Sequence, residues 1–182
     1  MKRFLLIIIV FSLFLSPLAG QEPAEELFRE AESRFRNKNY ELALDRYDAL
    51  IRQYPLSDYV PDAQFRKAVC LYRLDRFEES LALFKRVESR FRSSRFINFV
   101  PFWKGVLYYT MDRFAEAVPE LRLFLDAEEA TELDDQALLY KSLSELELGN
   151  PQAAISSLER LLEGKARPEE QSYALSLLLS LY

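Results

Sequence analysis

The sequence predicts an all-α chain made of stacked helix pairs, and three observations carry that expectation. Side chains of like size recur at an interval of 37 residues through four segments. Within each segment the large apolar residues stand three, four and seven apart, which is the stripe of an amphipathic helix and not the alternation of a strand. The 182 residues include only four Gly and eight Pro, too few for the many tight hairpins of a sheet protein. With 49% hydrophobic and 29% charged residues, the composition is that of a folded soluble chain.

Residues 1–20 stand apart from the repeats. Lys2 and Arg3 precede an apolar run from Phe4 to Leu15, broken only by Ser12, and Ser16-Pro17-Leu18-Ala19-Gly20 follows. That order is the signal-peptide pattern. The run falls short of the roughly 20 residues that span a bilayer, and Pro17 ends a helix where a cleavable segment should end. Cleavage after Gly20 is expected to leave a periplasmic or secreted protein; the alternative is an uncleaved signal that anchors the chain to the inner membrane. Leu18-Ala19-Gly20 resembles the lipobox of bacterial lipoproteins, but Gln21 stands where the acylated Cys would be. The resemblance implies a bacterial envelope protein without a lipid anchor.

The first helix of each unit carries Phe28, Phe65, Phe102 and Leu139, then small Ala31, Ala68, Gly105 and Ser142, then Phe35, Tyr72, Tyr109 and Leu146. A second helix opens at Tyr40, Phe77, Phe114 and Pro151. It continues with small Ala43, Ser80, Ala117 and Ala154, then Leu44, Leu81, Val118 and Ile155. Tyr47, Phe84, Leu121 and Leu158 follow, and Leu50, Val87, Phe124 and Leu161 close it. Pro151 is compatible with a helix start, because a first-turn Pro loses only a donor that has no partner within the helix.

The small columns mark crossings. Two helices about 8–10 Å apart leave no room for a long side chain where they meet. Asn39, Asp75, Asp112 and Asn150 stand in the short connectors, where a side-chain oxygen is expected to accept from an orphan N–H of the second helix.

This pattern of a small residue in the first helix, an aromatic opening the second, Ala one turn later and Pro55 after it resembles the tetratricopeptide repeat family. The resemblance implies a right-handed αα superhelix of four helix pairs plus one extra C-terminal helix. The repeats would run 24–57, 61–94, 98–131 and 135–164, with a partial fifth at 168–182. Two features depart from the family: the period is 37 in place of 34, and its first-helix Trp is absent from each unit. The extra residues should lengthen the second helix or its exit turn. The exit Tyr54-Pro55-Leu56-Ser57-Asp58-Tyr59-Val60-Pro61-Asp62-Ala63 looks like bacterial envelope members, among them BamD-like lipoproteins of barrel assembly and the repeat protein that accompanies the Tol-Pal system. Phe91, Ser94 and Phe96 echo Tyr54, Ser57 and Tyr59 one period on. By resemblance the first helices line a concave groove, which makes Phe28, Phe35, Phe65, Val69, Tyr72, Phe102, Val106, Tyr109, Leu139 and Leu146 the candidate partner-binding residues. The alternative for each is inter-repeat core.

Without residues 1–20 the chain holds 22 Lys plus Arg against 29 Asp plus Glu, a net of −7, and nucleic acid is not an expected partner. The charge is uneven: residues 62–100 carry +4 and residues 101–182 carry −8. Lys85, Arg86, Arg90, Arg92 and Arg95 form a basic cluster; Asp126, Glu128, Glu129, Glu132, Asp134 and Asp135 form an acidic one. Either could steer a partner, or both could be solvated helix ends. Thr131 and Asp134 have the spacing of a helix-start cap. The acidic run lacks the spaced ligands and Gly of a calcium loop.

No catalytic residue, metal site or cofactor is expected. The chain has no His, hence neither the usual proton shuttle nor the commonest nitrogen ligand. It has no glycine-rich phosphate loop. Ser142 and Ser144 beside Lys141 could be drawn as a Ser-Lys pair, but Ser142 belongs to a packing column. Cys70, the one cysteine, is expected as a buried filler.

Tyr173, Leu175, Leu177, Leu178, Leu179, Leu181 and Tyr182 leave the last helix almost no polar face, although a terminal capping helix should be polar outside. Either the chain is a piece of a longer solenoid or this helix mediates self-association. The expected function is an exported protein-interaction scaffold with a protein or peptide partner, in cell-envelope or outer-membrane protein assembly. The alternative is a periplasmic carrier holding an apolar small molecule in the groove.

Overall fold

Helices form where the apolar stripe repeats. The computed structural model describes residues 21–127, 131–164 and 167–182, with side chains from Pro23 on. The expected signal segment 1–20, and Glu128 and Glu129 of the acidic run, lie outside the described residues. Among the described residues the chain is all-helical: α1 Gln21–Arg36, α2 Tyr40–Gln53, α3 Val60–Arg73, α4 Phe77–Arg90, a 3-10 turn Ile97–Phe99, α5 Val100–Thr110, α6 Phe114–Leu125, α7 Asp134–Glu147, α8 Pro151–Glu163 and α9 Pro168–Leu181. The second helices begin at Tyr40, Phe77, Phe114 and Pro151, as the aromatic column predicts.

The turn within each pair also repeats at 37. Lys38, Asp75, Asp112 and Gly149 adopt the left-handed conformation with φ of 60°, 57°, 57° and 72°. Their N–H groups donate to Phe35, Tyr72, Tyr109 and Leu146, and the next N–H in each turn reaches five residues back to Arg34, Leu71, Tyr108 and Glu145. This is the Schellman close of a helix. It corrects the expected capping: Asn39 and Asn150 make no side-chain cap bond, and Arg113 flanks α6 as Asn39 flanks α2. The Asn and Asp residues therefore fall in two adjacent columns, and at Asp75 and Asp112 tolerance of the left-handed backbone matters.

The exit turn absorbs the residues beyond 34. Tyr59 N–H donates to Ser57 Oγ at 3.3 Å, Phe96 N–H to Ser94 Oγ at 3.2 Å, and Leu133 N–H to Thr131 Oγ1 at 3.1 Å. The echo between the two exit sequences is thus a shared hydroxyl turn, and Thr131 continues it. Asp134 Oδ1 in turn accepts from Thr131 N–H and Oγ1 at 3.0 and 2.8 Å, but α7 begins at Asp134 with Leu133 at its cap position and no side-chain cap bond, so the expected cap is instead a closure of the exit turn. At the fourth exit the pattern changes, and Arg167 and Glu170 cap α9 instead.

The chain divides into two compact units, one reaching to Arg76 and one from Phe77 to Tyr182. In the first, α1 packs on α2 and α2 on α3. Its interior holds Phe28, Ala31, Ala43, Tyr47, Leu50, Phe65 and Ala68. In the second, α4 packs on α5, α5 on α6 and α7, α6 on α7, α7 on α8, and α9 on α8 and α7.

The crossing columns are closed to solvent: Ala43, Ser80, Ala117 and Ala154 are 0% exposed, as are Ala31, Ala68 and Ser142. Gly105 shows why a column stays small. A Cβ added there would lie 2.5 Å from Leu121 Cγ and 3.3 Å from the Leu121 backbone N, so α5 meets α6 at glycine distance.

Candidate functional site

Burial divides the ten expected groove residues. Phe28, Phe65, Val69, Phe102 and Val106 are 2–4% exposed and belong to the core. Their rings show the reason. Phe28 meets Tyr47 of α2 at 6.0 Å between centroids, and Phe102 meets Phe124 of α6 at 5.3 Å. Both face a second helix, where burying such a ring contributes about 1.5–3 kcal/mol. Phe35, Tyr72, Tyr109, Leu139 and Leu146 are half-buried and keep a surface to offer.

In the first unit that surface pairs rings with cations. Phe35 meets Tyr40 edge-on at 5.7 Å, and the Arg66 guanidinium lies 4.9 Å from the Phe35 centroid. Arg73 lies 5.6 Å from the Tyr72 ring. Arg66 Nε also approaches Glu32 Oε1 at 3.0 Å, and the Tyr47 hydroxyl donates to the same carboxylate.

In the second unit the first helices α5, α7 and α9 bring phenols together. Tyr109 meets Tyr140 at 5.1 Å with rings tilted by 57°, and Phe114 closes the other side at 5.8 Å. Burial, helped by nearby Tyr173, Glu147 and Asp112, pushes the Tyr109 phenol above its usual range, so it stays neutral through physiological pH. Tyr173 is 46% exposed. The arrangement offers ring faces and hydroxyls side by side, the mixture with which tyrosines engage protein partners.

Tyr140 and Tyr173 were not among the expected residues. Tyr140 shares its column with Arg29, Arg66 and Trp103, and this recurrence of flat groups is its signal in the sequence. Trp103 stacks on Phe84 at 6.2 Å with planes 6° apart. A second unread column is Lys67, Lys104 and Lys141. Lys67 Nζ pairs with Asp48 at 2.5 Å. Lys104 Nζ pairs with Glu88 at 2.8 Å and Glu120 at 2.7 Å, and Lys141 Nζ with Glu145 at 2.6 Å.

The pair drawn between Lys141 and its serines does not form. Ser142 and Ser144 donate to the carbonyls of Leu139 and Tyr140, each at 2.8 Å, while Lys141 bonds Glu145 and Ser157. Cys70 is buried, and burial pushes its thiol up to about 12 against the opposing pull of Arg66, which makes it unreactive near neutrality. The basic residues Lys85, Arg86, Arg90, Arg92 and Arg95 are all exposed. Among the described residues no three Cys, Asp or Glu side chains group to hold a metal, and no helix is long and apolar enough to cross a membrane.

The fold recurs in solved structures. MamA residues 41 to the end from Desulfovibrio magneticus RS-1 superimposes with a TM-score of 0.68 at 15% identity, covering 90% of this chain and 95% of that one. The MamA RS-1 ArsTM double mutant gives 0.67 at 14% identity, over 90% and 96%. No curated protein sequence matches the chain. The tetratricopeptide repeat family matches residues 28–94 and 104–170. The helix pairs, the buried small columns and the 37-residue turns have their explanation in that match: the chain belongs to the tetratricopeptide repeat family.

Proposed function

We propose that this protein is an exported scaffold that holds a protein or peptide partner on the aromatic surface of the first helices α5, α7 and α9 and does no chemistry of its own. The observation that carries the reading is the Tyr109, Tyr140 and Tyr173 cluster, because a tetratricopeptide array needs no half-exposed phenols on three successive first helices to fold. The family's role in protein binding supports it. An envelope setting is supported by Lys2, Arg3 and the apolar run after them, and by the Tyr54-to-Ala63 exit, which resembles envelope members of the family.

A photo-crosslinking residue at Tyr140 or Tyr173, used in intact cells, should capture the same discrete partner from both positions, whereas one at buried Val106 should capture none. Capture of nothing at either tyrosine, together with lipid retained in native mass spectrometry, would replace the scaffold with a small-molecule carrier. N-terminal sequencing of the exported form reads the signal directly: a chain beginning at Gln21 supports cleavage, and one that keeps Met1 supports an inner-membrane anchor.

Self-association is a second reading, favoured by α9. Leu175, Leu179 and Tyr182 are 50%, 79% and 87% exposed, an apolar surface that a second copy would cover. Light scattering across micromolar concentrations should show a dimer that Leu175→Glu with Leu179→Glu returns to monomer; a monomer throughout would sink this reading.

A further inference from the structure

Away from the aromatic surface, a cleft of about 200 Å³ opens between α6, α7 and α8, lined by Arg122, Asp126, Lys141, Ser157, Arg160 and the leucines 125 and 138. Its charge runs against its surroundings, since residues 101–182 carry a net of −8 and this wall gathers three cations. We propose that the cleft binds the carboxylate of an acidic peptide side chain. This goes beyond the scaffold reading, because it names a second surface built mainly from second helices, and it stands whether or not the phenols bind.

The wall's own bonds say which groups face a ligand. Lys141 is satisfied by Glu145 at 2.6 Å and Ser157 at 2.8 Å, and Ser157 donates to Glu145 at 2.8 Å, so this cation is neutralised in place and serves as the floor. An Arg160 Nη2–H donates to the Leu125 carbonyl at 3.3 Å, which holds the planar fork across the gap from α8 to α6. A guanidinium has five donors, and that bond uses one of them. Arg122 is exposed at the rim of the cleft, one turn before Asp126. Arginine suits this task because its fork matches the two oxygens of a carboxylate.

The ligand class follows from charge and size. With Lys141 cancelled by Glu145, the attractive charge is Arg122 and Arg160 against Asp126, a net of about one, which neutralises one carboxylate but leaves a doubly charged phosphate half compensated at a larger desolvation cost. The space holds roughly six waters, and the leucines give it an apolar side for an aliphatic stem. A glutamate side chain has both parts.

The test uses the whole chain at low salt and two six-residue peptides, one with a single Glu flanked by Leu and its Gln counterpart, read by backbone amide shifts of residues 156–160. The Glu peptide should bind, weaken as salt rises and leave the Gln peptide about tenfold behind. Arg122→Gln and Arg160→Gln should each weaken it about tenfold, and Asp126→Asn should strengthen it severalfold. Equal binding of both peptides, indifference to the arginine variants, or weaker binding by Asp126→Asn would overturn the proposal. Displacement by inorganic phosphate at concentrations below those of the peptide would also overturn it, assigning the cleft to phosphate.

Discussion

Each unit buries a polar cluster around a second-helix crossing, and those at Tyr47 and at Lys104 are built on opposite principles. In the first, Tyr47 and Cys70 sit 0% exposed beside Glu32 and Arg66, and the tyrosine's bond to Glu32 is made by a group that remains neutral. Burial first, and then the bond to Glu32, hold the Tyr47 phenol far above its usual range. In the second, Lys104 is 6% exposed and fully charged. Burial opposes that charge, but hydrogen bonds to Glu120 and Glu88 outweigh it and raise the ammonium above its usual value. One cluster keeps buried protons from leaving; the other surrounds a buried charge with acceptors. The repeat sets where helices cross, while these unrepeated polar side chains decide how each crossing responds to substitution and to pH.

The largest separation between the clusters should come from removing Lys104. Lys104→Ala leaves Glu120 only 18% exposed and without its cation, and Glu120 Oε2 already has no hydrogen-bond partner among the described residues. Breaking such a pair costs about 3 kcal/mol, near the low end for buried pairs because Glu88 can turn to water. Thermal denaturation should show a fall of about 6–12 °C for a chain of this size. The double change Lys104→Met with Glu120→Leu should recover most of it, and a single variant as stable as the parent would remove the case for a buried charge.

Alkali should expose the first cluster. The Cys70 thiol ordinarily ionises near 9 but is pushed up to about 12 in the fold, so above pH 9 the unfolded chain releases a proton that the folded chain keeps. Stability is then fully present below pH 9 and falls by about 1.4 kcal/mol per pH unit, reaching about 2 kcal/mol by pH 10.5. Urea midpoints of the parent and Cys70→Ala between pH 8 and 10 should diverge in slope, with the variant flatter. Parallel curves would mean that the thiol titrates in the fold as it does in water.

Gly105→Ala sharpens the comparison within the repeat itself. Helix propensity favours Ala by about 1 kcal/mol. The new Cβ, 2.5 Å from Leu121 Cγ, must push α6 away, and overpacking costs about 1–3 kcal/mol. A net loss of up to about 2 kcal/mol in chemical denaturation is expected, and Leu121→Ala, at a residue 0% exposed, should cost less in the Gly105→Ala chain than in the parent because it relieves the clash. A gain in stability would show that the two helices part freely.

How much of this could be read in advance follows from what periodicity encodes. It encodes spacing, so the helix starts at Tyr40, Phe77, Phe114 and Pro151 and the closed crossings at Ala43, Ser80, Ala117 and Ala154 were legible. It does not encode direction. A first helix packed on neighbours at two sides has two apolar faces, and the stripe that looked like a groove at Phe28, Phe65 and Phe102 faces inward. The half-exposed tyrosines are harder to read, because Tyr140 shares its column with Trp103 but also with the cations Arg29 and Arg66, and Tyr173 has Gln136 one period before it. The lysine column went unread because charge in a helix ordinarily means water, and only the acids opposite, on other helices, make Lys104 a core residue.

The smallest expected effect lies in the turn that all four pairs share. At that position the left-handed backbone costs an ordinary side chain about 1–2 kcal/mol, Asp less, and glycine nothing. Glycine returns about 0.5–1 kcal/mol of this to the unfolded chain's freedom. Lys38→Gly should therefore gain about 0.5–1 kcal/mol, and Asp112→Gly should change stability by only about 0.3 kcal/mol. Gly149→Ala isolates the backbone, because an added Cβ there meets nothing within 4 Å, so any loss comes from its φ of 72° alone. That loss should be about 1 kcal/mol by urea denaturation. If Gly149→Ala is neutral, or Lys38→Gly destabilises, then the turns do not store conformational strain, and the shared geometry at these four positions reflects only their hydrogen bonds.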